Sequence, residues 1–72
     1  MGESGTISIT VNGKSYEVAH GCPLDEFLNL LGLDPECVVV EHNRSALTPS
    51  EARRTILCED DVLEVVRIVA GG

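Results

Sequence analysis

The dipeptide Asn12-Gly13, lying between two stretches of alternating apolar and polar residues, constrains this chain more than any other feature. Both residue types tolerate a positive φ, which a two-residue hairpin turn demands, and Asn-Gly is the strongest short-range signal for such a turn. Before it, Ile7, Ile9 and Val11 alternate with Thr6, Ser8 and Thr10, the period of a half-buried strand. A two-residue turn then sets Val11 opposite Lys14, Ile9 opposite Tyr16 and Ile7 opposite Val18. The apolar partners fall on one face, so turn chemistry and hydrophobic pattern specify the same register. A two-stranded hairpin is marginal in water, and something else in the chain must cover that face.

The covering element follows directly. Residues 23–31 place Leu24, Phe27, Leu28 and Leu31 at helical spacing on one face. Pro23 suits the first helical position, and Asp25 and Glu26 complement the positive end of the helix dipole. Gly32 is a natural C-terminal stop, and Pro35 forbids continuation. Residues 37–40, largely β-branched, read as a strand that ends near 41–44. Thr48-Pro49-Ser50-Glu51 has the form of a capping box with Pro at the first helical position, opening one turn of helix through about residue 54. Residues 55–57 read as a short strand, 59–61 as a turn and 62–69 as the last strand. That strand is apolar on both faces, with Leu63 and Val65 on one and Val62, Val66 and Ile68 on the other. The pattern is that of a central strand.

Seventy-two residues, 43% of them apolar, allow one domain with one small core. A chain of this size buries only roughly 60% of its unfolded surface. A deep cofactor pocket would leave little core behind, which argues against a self-contained enzyme. The predicted order is strand, strand, helix, strand, short helix, strand, strand. The first and last strands are the most apolar, so they belong side by side at the centre, running parallel, with the main helix across one face. The expected fold class is α+β, a ubiquitin-like β-grasp with a mixed sheet of four to five strands and one main helix. The domain spans 6–69, after a disordered lead at 1–5 and before a flexible tail at 70–72.

Twelve acidic residues against five basic ones give a net charge of −7. Such a body repels the phosphates of nucleic acid and anionic lipid and is drawn to basic protein surfaces, so the expected partner is a protein. The same charge also serves solubility. No stretch approaches the about 18 apolar residues of a membrane helix, and no basic-then-apolar start resembles a signal peptide, which points to the cytoplasm. Cys22, Cys37 and Cys58 fit that compartment. An odd number without Cys-x-x-Cys spacing reads as core or loop residues, not metal ligands or nucleophiles. His20 and His42 read as loop or strand-end residues. Met1-Gly2 with Thr6 satisfies a myristoylation pattern, but Thr6 begins a strand and nothing nearby is polybasic. The glycosylation pattern at Asn43-Arg44-Ser45 is irrelevant without secretion. No base, nucleophile and orienting acid gather at recognisable spacing, so the chain is expected to be no enzyme and to bind neither metal nor cofactor of its own.

After Val65-Val66-Arg67-Ile68-Val69 come Ala70-Gly71-Gly72. A glycine pair there has no turn to close. It offers a carboxylate on a backbone thin enough to thread into another protein's active site. Gly72 is then a reactive handle, and Gly71 supplies the clearance that a side chain would abolish. Ordering glycine costs more backbone entropy than ordering any other residue, so contacts elsewhere must offset it. The candidates are Val62, Val66 and Ile68, an apolar patch of the kind that marks interfaces, with Arg67 and Ala70 beside the tail.

The chain resembles the ThiS family, the sulfur carriers of thiamine biosynthesis, which are small β-grasp proteins with a Gly-Gly end. The matching pieces are the Asn12-Gly13 hairpin, the helix at 23–31 and the segment Glu59-Asp60-Asp61-Val62-Leu63-Glu64-Val65-Val66. The closing Ile68-Val69-Ala70-Gly71-Gly72 is similar to the Val-Ala-Gly-Gly or Ile-Ala-Gly-Gly tail of that family. The family often has Gly-Asp where this chain has Asp60-Asp61, and an Asn-rich strand end where it has Glu41-His42-Asn43. The resemblance implies that a ThiF-like adenylyltransferase, using ATP and Mg²⁺, places AMP on the Gly72 carboxylate. A persulfide from a sulfur donor such as a cysteine desulfurase then displaces AMP, leaving a thiocarboxylate. A thiazole synthase of the ThiG type would accept that sulfur.

Three rival readings stand beside this one. The chain is a sulfur carrier for another pathway, such as molybdopterin, cysteine or homocysteine synthesis; or a ubiquitin-like modifier joined through Gly72 to lysines; or an interaction module with no C-terminal chemistry. The molybdopterin relatives are usually longer and richer in aromatics, whereas this chain has one Tyr and one Phe.

Overall fold

The computed structural model describes residues 5–68. Of the expected disordered lead at 1–5, residues 1–4 lie outside the described residues, as do Val69 and the whole expected tail at 70–72, with Ala70, Gly71 and Gly72. Strand β1 (Thr6–Val11) turns through Asn12 (φ 51°) and Gly13 (φ 82°) into β2 (Lys14–Ala19). The register is the one the turn dictates, with Val11 opposite Lys14, Ile9 opposite Tyr16 and Ile7 opposite Val18.

Helix α1 (Leu24–Leu30) starts one residue later than the sequence suggests, because Pro23 is its N-cap and not its first turn. The reason is a neighbouring segment. Pro23 pairs with Ile56 in an isolated antiparallel bridge, the Leu24 N–H donates to the Thr55 carbonyl at 2.9 Å, and the Leu57 N–H donates to the Cys22 carbonyl at 2.9 Å. These bonds hold Pro23 extended (ψ 148°). Residues 55–57 are thus no strand of the sheet, contrary to the sequence expectation, but a tie beneath the helix start. At the other end Gly32 takes φ 79°, its N–H reaching the Asn29 carbonyl and the Leu33 N–H the Leu28 carbonyl, both at 2.9 Å. This is the Schellman pattern, which a residue with a Cβ closes only under strain.

A single turn of 3₁₀ helix (Pro35–Cys37) leads into β3 (Val38–His42). The strand the sequence reading missed is β4 (Ser45–Leu47), which pairs antiparallel with β3 through a turn at Asn43 (φ 50°) and Arg44 (φ 74°). It has the backbone of the Asn12-Gly13 turn without the glycine that would have signalled it. Helix α2 (Pro49–Arg54) opens with the expected box: Thr48 Oγ1 accepts from the Glu51 N–H at 3.1 Å, and Glu51 Oε1 from the Thr48 N–H at 2.9 Å.

The last strand, β5 (Val62–Arg67), completes a five-stranded mixed sheet in the order β2-β1-β5-β3-β4. It runs parallel to β1 and antiparallel to β3. The strand ends at Arg67, but the Ile68 N–H still donates to the Cys37 carbonyl at 2.8 Å. Leu63 and Val65 meet Ile9, Leu24, Leu28 and Phe27 between sheet and α1. Burying each such side chain contributes about 1.5–3 kcal/mol. Phe27 meets Tyr16 edge-on at 5.6 Å, closing the core beside β2.

Two asparagines fix β5 from opposite flanks. Asn12 Oδ1 accepts the Val65 N–H at 2.8 Å and its Nδ2 donates to the Val65 carbonyl at 3.1 Å. The amide thereby acts as one more residue of β1. Across the strand, Asn43 Oδ1 accepts the Val62 N–H at 2.8 Å, while its own N–H donates to the Val62 carbonyl at 2.8 Å. Glycine adopts both turn conformations without strain, so Asn12→Gly removes the amide at the added cost of a more flexible unfolded chain. It is expected to lower stability by about 1–3 kcal/mol, since the part-buried Val65 N–H loses its acceptor. Urea unfolding checks this, and an unchanged midpoint for Asn12→Gly would refute the clamp.

Candidate functional site

Alternation along β5 divides its residues between two surfaces. Leu63 and Val65 point to the core, and Val62 and Val66 point away from α1, exposed at 44% and 62%. Ile68, held by its N–H bond to Cys37 just past the strand, is 53% exposed and also borders a cleft with Val38, Leu47 and Ala52. The chain itself leaves this face uncovered among the described residues. A member that the sequence reading missed is Val39, directly opposite Val66 and 45% exposed. The all-apolar run Val38-Val39-Val40 hides which residue faces outward, and only the pairing reveals it. Glu41 stands opposite Glu64 on the same outer face. Like charges directly across a ladder repel each other, so the patch carries an acidic border that no ion pair among the described residues neutralises.

Arg67 belongs elsewhere. It follows Val65 at the inward alternation and lines a groove with Val11, Leu31, Leu33 and Lys14 on the helix side of the sheet. The structure therefore brings Val62, Val66 and Ile68 together and separates Arg67 from them by the thickness of the strand. Ala70, Gly71 and Gly72 lie outside the described residues.

At the start of β5, Asp61 is buried, with 6% of its surface exposed. Its Oδ2 accepts the Cys58 N–H at 2.8 Å and contacts His42 Nε2 at 2.9 Å, and its Oδ1 accepts from Asn43 Nδ2 at 3.1 Å. Burial alone pushes this carboxyl up, but the Cys58 amide, His42 and Asn43 outweigh it, so its pKa lies below the ordinary aspartate value. The preceding Asp60 sits at φ 69°, a conformation glycine adopts freely, which accounts for the Gly-Asp pair common in the resembling family. The two sequence departures noted above thus touch each other: His42 and Asn43 supply partners of Asp61.

The cysteines are all free. Cys22 is buried, and burial, aided by Glu26 and Asp25, pushes its thiol up and away from nucleophilic form. Cys37 and Cys58 are exposed. Among the described residues no three His, Cys, Asp or Glu side chains converge as metal ligands. No helix among them is long and apolar enough to cross a membrane.

A mixed sheet with its first and last strands parallel and adjacent, crossed by one helix, defines the ubiquitin-like β-grasp class. Within that class the chain belongs to the ThiS family, whose model matches residues 9–72, and it is a sulfur carrier of that family. The crystal structure of ThiS from Geobacter metallireducens superposes with a TM-score of 0.76 at 30% identity, covering 92% of this chain and 100% of that one. The sulfur carrier protein TtuB of Thermus thermophilus is 41% identical over 59 residues, 82% of this chain and 85% of that protein. A thiazole synthase of Magnetococcus marinus is 35% identical over 66 residues, 92% of this chain but 20% of the synthase.

The lowered pKa of Asp61 has a pH consequence of definite sign. A carboxyl whose folded pKa is depressed contributes stability that is present above its unfolded value and lost as pH falls through the folded one. Stability is therefore expected to decline as pH drops below about 3.9, the unfolded aspartate value. Asp61→Asn should lower stability at neutral pH and flatten that decline. Thermal melts at stepped pH check it, and an acid limb as steep as in the wild type would refute the assignment.

Proposed function

We propose that the Gly72 carboxylate is the working group of this carrier and that the folded body presents it to two successive enzymes. A carboxylate is a poor electrophile, since attack adds charge to a group already negative. Adenylation by a ThiF-like enzyme removes that obstacle: the carboxylate attacks the α-phosphate of ATP, pyrophosphate leaves, and the acyl carbon gains AMP as leaving group. ATP and its Mg²⁺ belong to that enzyme, which supplies the cationic groups for the phosphates. The terminal sulfur of a persulfide, from a donor such as a cysteine desulfurase, displaces AMP. A thiol then cleaves the resulting S–S bond and leaves the thiocarboxylate. Its nucleophilic sulfur passes to a thiazole synthase of the ThiG type, in the cytoplasm. Gly71 provides clearance along the channel, and Val62, Val66 and Ile68, with Val39, provide the contact energy. Ala70, and Arg67 from the helix side of the strand, would add contacts with the partner.

The observation that carries this reading is the family match running from the first strand through the glycine pair. Support for thiazole as the acceptor comes from the Magnetococcus synthase, in which a stretch like this chain shares one polypeptide with the activity named. A second reading, a carrier serving another acceptor, is favoured by the higher identity to TtuB, a protein named for sulfur transfer and not for thiazole.

Intact-mass spectrometry of the protein from its native cell tests the proposal. One oxygen replaced by sulfur is the expected result; covalent adducts with other proteins would favour a modifier, and an unmodified chain in every growth condition an interaction module. Deleting Gly72 is expected to abolish adenylation with the melting temperature unchanged. Gly71→Val should block adenylation equally, and adenylation at the wild-type rate would remove the clearance argument.

A further inference from the structure

The groove on the helix side of β5 has no part in the proposed chemistry and is unlike the rest of the surface. It encloses about 420 Å³ where the hairpin turn, the end of α1 and the end of β5 meet. Its floor is apolar, from Val11, Leu31, Leu33 and Val65, and Tyr16 closes one side. Its charged residues are both basic, Lys14 and Arg67, two of only five basic residues in a chain of net charge −7. The fold puts them there. Lys14 is the cross-strand partner of Val11 on the core face, and Arg67 follows Val65 at the inward alternation. The ion pairs among the described residues, Arg53–Glu36 and His42–Asp61, involve neither. Two cations beside an apolar floor, paired with no carboxylate among the described residues, suit an external one.

We infer that this groove receives an acidic side chain, seated beside an apolar one, from the protein that takes up the C-terminal residues. The inference rests on the carrier reading, because that reading brings a partner around the end of β5. Position and charge select this occupant. The groove opens where β5 ends, on the opposite side of the strand from Val66 and Ile68, so a partner enclosing the strand's continuation meets both surfaces. One side of β5 offers apolar residues bordered by Glu41 and Glu64, which match basic groups. The other offers apolar residues bordered by Lys14 and Arg67, which match acidic ones. The partner's channel mouth therefore has two jaws of opposite sign. The outer sheet face of a second copy, apolar with Glu41 and Glu64, carries the same chemistry as this occupant, and the identity of the Lys14 link tells the two apart.

Lys14 is the only lysine in the chain, which makes the test direct. The full-length chain is mixed with its cognate adenylating enzyme and treated with a carbodiimide, which joins an amine to a carboxylate only in direct contact. The expected product links Lys14 to an Asp or Glu of the enzyme, identified by peptide mass spectrometry. Alongside, Lys14→Glu/Arg67→Glu is expected to weaken binding about tenfold or more, with an unchanged melting temperature, as charge reversal at a complementary contact does. Lys14→Met/Arg67→Met, which keeps the aliphatic stems and removes only the charge, should fall between. Links from Lys14 to the chain's own carboxyl terminus or to a second copy overturn the assignment. So does a complex that forms with no link at Lys14 and is indifferent to reversal. If the wild-type chain is neither bound nor adenylated, the carrier reading fails too, so the two failures are told apart.

Discussion

Both surfaces of the sheet at its last strand depend on how β5 is held. A strand fed in last must find both its neighbours, and here each neighbour reaches out to it with a side-chain amide placed by a left-handed turn residue. Asn12 and Asn43 both sit near φ 50°, and both lend a carbonyl oxygen to a β5 N–H at 2.8 Å. The turns that reverse β1 into β2 and β3 into β4 thus also serve as end-stops for β5. One residue type answers two demands at once: asparagine tolerates the left-handed region, and its amide copies a peptide group. Glycine would satisfy only the first. A slip of β5 by one residue would leave both amides unmatched and turn Leu63 and Val65 out to water.

That fixed register decides what each side of β5 shows. Because the side-chain period is two, placing Leu63 and Val65 in the core obliges Val62 and Val66 to face outward. It also carries Arg67 back over the helix side. The apolar outer face is therefore no accident of poor packing. A strand buried on one side only could take polar residues at those positions without loss of core. Four exposed aliphatic side chains gathered there, Val39 and Ile68 included, are the kind of patch that marks interfaces. The acidic border and the basic groove across the strand follow from the same alternation.

Most of the fold was legible, and the exceptions have physical causes. The Asn12-Gly13 turn, the Thr48 capping box and the Gly32 stop carry strong local chemistry, and all three form as read. The central parallel pairing of first and last strands followed from their apolar content. What failed was non-local or chemically silent. The Asn43-Arg44 turn has no glycine, so β4 went unseen. Residues 55–57 are apolar enough for a strand, but their hydrogen bonds go to Cys22 and Leu24 and not to the sheet. Pro23 looks like a first helical residue by type, and the bridge to Ile56 makes it the cap. On the outer face, the placement of Val62 and Val66 was readable from alternation. Val39, Lys14 and the separation of Arg67 required the pairing of strands distant in sequence.

A patch on one face of a sheet fixes little by itself. Aliphatic contact is non-directional, and a partner resting on Val66 and Ile68 retains freedom to pivot about them. Pivoting matters on the proposed reading, in which the working group follows several residues after β5, because small angles at the body become large displacements farther along. Reacting atoms must come within about 3–3.5 Å and stay aligned, and an ångström of misplacement costs heavily in rate. A second contact on the other side of the same strand removes the pivot, and charges of opposite sign on the two sides forbid the partner from seating upside down. Such a device limits orientation without demanding a large interface. That suits the proposed carrier role, in which the body leaves one enzyme before reaching the next.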